Sequence, residues 1–410
     1  MSRRFRAGFA ATSALVLVFT TAACSSSKKT ASSSTTTHSG PALSGTPVKG
    51  TAIYDLGTQT AVDDQEGIKV GVAAVNAAGG INGHPLDISV CTDNEDPNGA
   101  AACARTATSD SSVLAIVGTG TSYGASVDPI LTAAGMASVG NSTYVAADFS
   151  CTVCFNDATG GFSSIGSAVA AVKTLNAKRI GVPYIDLPAG ATLAPTVDKL
   201  VKPLGAQSVG VIPVPVTAAD VTPQAAAEGA AKPDAIIDGL TTDLFAKFIH
   251  AYRQQGFDTP FIISGGVFDP AGIQSQLSGV NSNIYIDTEY DHSSNGYKTF
   301  LADFNKYDSS YSNHDDEVLR AYFAVKEFAY AASHASSLTK AGILAEMNSL
   351  NNYTSDGLQP PIDYTTSQTG LGGTAPRVIV DHIWMDKYQN GQFVPVGDGS
   401  AINVFTGTSS

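Results

Sequence analysis

The stretch Gly118 to Gly124 (GTGTSYG) gathers three aliphatic hydroxyls and one phenol on a glycine-rich turn. It follows the apolar run VLAIVG and precedes a helical pattern. Free backbone N–H groups at such a helix start, helped by the helix dipole, make an anion site. Thr119, Thr121 and Ser122 add hydroxyl donors. An N-capping Thr or Ser in a tight turn is the plainer alternative. Gly120-Thr121-Ser122-Tyr123-Gly124 is also a formal G-x-S-x-G between strand and helix, the context of a nucleophile elbow. His250, His292, His314 and His382 lie downstream, where a triad of that order needs its base. None of them sits in a distinctive late loop beside a clear acid partner. A serine hydrolase is therefore carried as the enzyme alternative, and no residue is assigned as catalytic.

Other chemistry is poorly represented. Gly118, Gly120 and Gly124 are spaced wrongly for a dinucleotide fingerprint, and no phosphate-binding loop or H-E-x-x-H motif is present. DNEDPNG (Asp93 to Gly99) lacks the closing Glu of a calcium loop and reads as a turn with helix capping. His314-Asp315-Asp316-Glu317 reads as an acid-rich helix start rather than a metal site. No metal and no cofactor are expected.

Four cysteines beyond position 24 allow three pairings. Proximity favours Cys91–Cys103 and Cys151–Cys154. Cys151-x-x-Cys154 could instead be a redox pair, but SCTVCF looks extended, without the helix start that lowers a thiol pKa.

The 410-residue chain carries net charge −13, with 14% charged residues against the ~25% typical of globular chains. An acidic chain lacks the basic face that nucleic acid requires. The first 23 residues read as an export signal, with Arg3, Arg4 and Arg6 ahead of a short apolar run. Thr21-Ala22-Ala23-Cys24 resembles a bacterial lipobox, so Cys24 is the expected lipidation site. Residues 24–46 are Ser/Thr-rich and read as a flexible tether. The expected location is the outer face of the cytoplasmic membrane.

From Val48 onward strand and helix patterns alternate. That order means parallel sheets with helices on both faces. There are too many units for one sheet, so the fold class is α/β with two doubly wound lobes.

GIKVGVAAVNAAGGINGHPL (Gly67 to Leu86), the Asp96-Pro97 turn and AIVGTGTSYGASVDPI then resemble the leucine/amide-type substrate-binding proteins of ABC transporters. KPDAIIDG (Lys232 to Gly239), RQQGF (Arg253 to Phe257) and DGLQPPIDYT (Asp356 to Thr365) continue the likeness. The resemblance implies a type I periplasmic-binding-protein fold, two lobes joined by three crossovers and closing on a small molecule. Crossovers would fall near Phe155–Thr159, Ile286–Tyr290 and Asn351–Thr354. The lobes would be 47–157 with 290–350, and 158–289 with 351–410. The partners implied are a small-molecule ligand and a membrane permease, with the protein a monomer. A sensor without a transport role is the alternative within the binding class.

In amino-acid-binding members the ligand carboxylate is held by residues that match Ser122 and Asn141, Ser142 and Thr143. The ammonium-binding Glu falls near Gly266, where this chain has no carboxylate, and two tyrosines fall near Ala189 and Thr241. The expectation is a carboxylate or amide ligand lacking that ammonium. Tyr54, Thr60, Tyr123, Tyr184, Asp287, Glu289 and Tyr290 are further expected wall residues. Asp287 and Glu289 could still meet a cation.

Overall fold

In the computed structural model, the described residues are 43–54, 59–143, 145–186, 190–266, 268–373 and 375–409. The expected signal, most of the tether and Cys24 lie outside them. No helix among the described residues is long and apolar enough to cross a membrane.

The chain begins with β1 (Val48–Tyr54), α1 (Gln59–Ala77), β2 (Leu86–Thr92), α2 (Pro97–Ser109), β3 (Val113–Val117), α3 (Gly124–Ala134), β4 (Ser138–Val139) and β5 (Cys154–Phe155). These strands form an all-parallel sheet in the order β2-β1-β3-β4-β5. Local chemistry sets the boundaries. Asp96 caps α2 by accepting from Gly99 N at 3.1 Å, with Pro97 in the first turn. Gly135 ends α3 in the left-handed conformation.

The second sheet is wound by α4 (Ser163–Thr174), β6 (Arg179–Ile185), α5 (Leu193–Val201), β7 (Gln207–Val214), α6 (Thr222–Ala230), β8 (Ala235–Ile237), α7 (Thr242–Gln254), β9 (Phe261–Ser264), α8 (Pro270–Gln276) and β10 (Ile284–Thr288). Then α9 (Asn295–Tyr307), α10 (Asp316–His334) and α11 (Lys340–Ser349) return to the first sheet, and β11 (His382–Gln389) and β12 (Gln392–Pro395) extend the second. The order is β12-β11-β10-β9-β8-β6-β7. Here the sheet departs from a purely parallel one: β11 runs antiparallel to both β10 and β12. A two-residue turn at Asn390-Gly391, both at positive φ, permits that hairpin.

Each sheet is sandwiched between apolar layers. Residues such as Ala52, Ile68, Val117 and Phe328 share one core, and Ile180, Ile237, Val197 and Ile383 another. Small residues let α10 approach closely. A Cβ on Gly67 would lie 2.3 Å from Val318 O, and one on Gly140 would lie 2.1 Å from Ala324 Cβ.

Two passages between the lobes follow β5 and β10. The third comes later than the expected Asn351–Thr354. Tyr353 bridges Ile362, and Tyr353, Leu358, Ile362 and Tyr364 all fill the first core. Ala375 and Val378 are the next buried apolar residues and belong to the second, while Val380 packs once more in the first before β11. Cys91–Cys103 and Cys151–Cys154 are both disulfides.

Candidate functional site

Parallel strands deliver their carboxyl ends, and the helices after them their N-termini, to the same edge of the sheet. That edge is built from both lobes. The first lobe contributes Ser142, after β4, and the first turns of α10 with Asp316, Glu317 and Arg320. The second contributes Ser264 and Asp287 at the ends of β9 and β10, with Ser163 and Ser164 opening α4. Gly160, Gly161 and Glu289 come from the passages between them. Together these residues enclose a cavity of about 200 Å³. A single water needs only ~10–15 Å³, so the space suits a small molecule.

The polar wall is mostly held by internal bonds. Arg320 is buried on α10. Its guanidinium donates to Asp64 on α1, to Glu317 at 3.1 Å and to the Gly140 carbonyl at 3.0 Å. Glu289 accepts from the backbone N–H of Thr159 at 2.6 Å and of Gly160 at 3.0 Å, and from the Thr159 hydroxyl. Burial raises the Glu289 carboxyl to about 8, against the lowering effect of the Thr159 bond. Gly161 N–H is taken by the Thr143 carbonyl at 2.9 Å.

Asp316 links the cavity wall to a buried histidine. It accepts from Glu289 N–H at 3.1 Å and faces His292 Nε2 at 3.0 Å, while His292 Nδ1 lies 3.4 Å from Asp386 on β11. Burial alone would lower the imidazole, but the two carboxylates outweigh it and raise it to about 9. Asp287 differs from the rest. It is 2% exposed, and neither carboxylate oxygen has a hydrogen-bond partner of good geometry. Burial raises it to about 7, with the Ser167 hydroxyl acting in the opposite sense.

Of the expected site residues, Ser142, Gly266, Asp287 and Glu289 line this cavity. Thr143 is buried directly behind Gly160. Asn141 uses its amide oxygen to accept from Ser138 Oγ at 2.6 Å, inside the fold. The others stand apart. Ser122 is exposed and absent from the cavity wall, and the Tyr123 hydroxyl donates to Glu95 O at 2.7 Å. Tyr54 and Tyr290 are fully buried in the first core, because their rings complete the packing around α10. Tyr184 and Thr241 are absent from the wall, and Thr241 precedes α7 without a side-chain capping bond. The Thr60 side chain and Ala189 lie outside the described residues.

The elbow reading of Ser122 gains no support. His250 bonds Gln276 O, His292 faces Asp316 and Asp386, His382 pairs Asp381, and His314 packs on Phe304. In the DNEDPNG turn, Asp93 accepts from Glu95 N and from Thr121 Oγ1, and Asp96 caps α2.

The sequence reading takes Glu317 for a helix-start acid and does not single out Arg320. Arg320 stands in the otherwise apolar stretch VLRAYF, a signal for a paired buried charge. Glu317 fills the space that a side chain at 266 would occupy: a Cβ on Gly266 would lie 3.1 Å from its Cγ and Oε1. A carboxylate carried by α10 thus stands beside position 266.

Gly266 also borders a larger cavity of about 420 Å³ with Asp63, Asp269 and Asp315 in its wall. Those acids have structural partners: Asp269 and Asp315 cap α8 and α10, and Asp63 accepts from Tyr311. The smaller cavity is the better candidate because the ends of strands from both sheets and two interlobe passages converge on it.

Similarity to known proteins agrees with this geometry. The chain shares its fold with a leucine-binding protein of Thermotoga maritima, at 20% identity and TM-score 0.67, covering 87% of this chain and 99% of that one. A branched-chain amino acid transporter substrate-binding protein of Streptococcus pneumoniae, solved with isoleucine, aligns at 19% identity and TM-score 0.66 over 89% and 100%. A fatty acid ABC transporter substrate-binding protein of Thermomonospora curvata aligns at 19% identity and TM-score 0.69 over 90% and 94%. No curated protein matches the sequence. The model of the family described as periplasmic binding protein matches residues 52–375. With two α/β lobes meeting at a walled cavity and that match across most of its length, the chain belongs to the periplasmic binding protein family.

Proposed function

We propose that the protein is the extracytoplasmic solute-binding component of an ABC importer, tethered to the membrane through Cys24. A small polar ligand enters between the lobes and favours the closed form, which a membrane permease then reads. The observation that carries this reading is the cavity whose wall joins Ser142 of one lobe to Ser164 and Asp287 of the other. A ligand touching both sides stabilises the state in which they meet, which is how a binding event becomes a change of shape. The names of the structural relatives, which include leucine and fatty acid carriers, support the class of activity and leave the ligand open.

The chain's single tryptophan offers the test. Trp384 pairs with Thr288 on β10, one residue before Glu289. A molecule released from the purified protein by denaturation, added back to stripped protein, should change Trp384 fluorescence saturably. No released molecule, and no fluorescence change with any solute tried, would refute the reading.

A further inference from the structure

The donors in the cavity are largely committed to the protein's own acceptors. Thr159 and Gly160 N–H groups hold Glu289, and Gly161 N–H holds the Thr143 carbonyl. These three successive N–H groups lead into α4, where a ligand carboxylate would otherwise be well placed. Arg320 is engaged by Asp64, Glu317 and Gly140. The acceptors are in excess. Asp287 is buried in the wall, and both its carboxylate oxygens lack a hydrogen-bond partner of good geometry. Glu317 stands beside Gly266 on the same cavity, and although Oε2 accepts from Arg320 at 3.1 and 3.2 Å, its Oε1 lies on the Gly266 side. A buried carboxylate in that condition is costly unless a cation meets it.

We infer that this cavity takes the cationic head of an organic amine or guanidine, held between Asp287 and Glu317, with Ser164 and Ser264 hydroxyls beside it and no requirement for a ligand carboxylate. This inference rests on the binding-protein reading and names its ligand class. It reverses the expectation of an acid or amide ligand, because Glu289 occupies the amides such a ligand needs.

Asp287 is surrounded by Asp316, Asp238 and Glu289, with His292 held behind Asp316. Its carboxyl is raised to about 7 by burial, so a cation entering the cavity displaces a proton. Amine affinity therefore rises from pH 6 to pH 8 while the amine stays charged.

The test is calorimetry and thermal shift on stripped full-length protein with putrescine, agmatine and phenethylamine, against succinate, acetamide and leucine. The expected result is a melting shift of several degrees with at least one amine, proton release on binding, and at least thirtyfold weaker binding in Asp287→Asn. Empty Asp287→Asn should melt higher than wild type at pH 8, which separates lost binding from lost folding. Stabilisation by acids or amides but not by amines would overturn the cation site and leave the binding-protein reading intact. Equal amine binding by Asp287→Asn would overturn it too. No shift with any probe, together with no small molecule released on denaturation, would overturn both.

Discussion

Glu289 accepts a hydrogen bond from Thr159 N–H at 2.6 Å, which ties the second passage between the lobes to the first. The same oxygen takes Gly160 N–H. One carboxyl group thus sets the start of α4 relative to the end of β10, at the cavity edge.

Removing that carboxyl leaves two N–H donors without their acceptor. Each unsatisfied buried donor costs roughly 1–3 kcal/mol. Glu289→Ala should lower unfolding free energy by about 2–4 kcal/mol in a denaturant titration. Glu289→Gln keeps an accepting oxygen and should lose much less. Equal losses in both variants would show that charge, not hydrogen bonding, matters at this point.

His292 predicts a pH window. Its folded pKa of about 9 exceeds the ordinary 6.5, so its contribution is fully present below about 6.5 and disappears as pH rises through 9. A shift of this size corresponds to a contribution on the order of 3 kcal/mol. His292→Gln should therefore destabilise strongly at pH 6 and little at pH 9.5, read as the difference in melting temperature from wild type. A loss that does not vary with pH would contradict the charged pairing with Asp316 and Asp386.

Gly160 is held at φ +57°, and a Cβ there would lie 1.9 Å from Thr143 Oγ1. Positive φ and a near contact act together, so Gly160→Ala should cost about 2 kcal/mol or more. The Thr143 carbonyl oxygen would also lie 2.4 Å from that Cβ, so adding Thr143→Gly should recover only a small part of the loss. Full recovery would mean that the Thr143 side chain alone explains the glycine.

The alternation of strands and helices was legible in the sequence, because buried parallel strands and their following helices write distinct periods. The Asn390-Gly391 hairpin was legible from turn chemistry, although not its antiparallel seat beside β10. Site residues were less accessible. Asp287 and Glu289 could be nominated from the crossover that the resemblance implies, and Ser142 and Gly266 from the same resemblance. Ser122 sits on the turn after β3 but outside the cavity wall, since the turn's local pattern does not fix which way it faces the other lobe. Glu317 was hidden because its neighbour in space, Gly266, lies 51 positions away in the sequence. An acid at a helix start also has an ordinary explanation in the dipole. Only the packing of α10 against α1, which the glycines at 67 and 71 allow, carries it to the cleft.

Capture of a small molecule between the lobes is tested most directly by native mass spectrometry of the protein as isolated, beside Ser164→Phe, which fills the cavity from the first turn of α4. The account predicts one small molecule per wild-type chain, released on denaturation, and none on the variant at an unchanged fold. A wild-type chain without bound mass that also ignores added solutes, or a filled variant that binds as well as wild type, would contradict it.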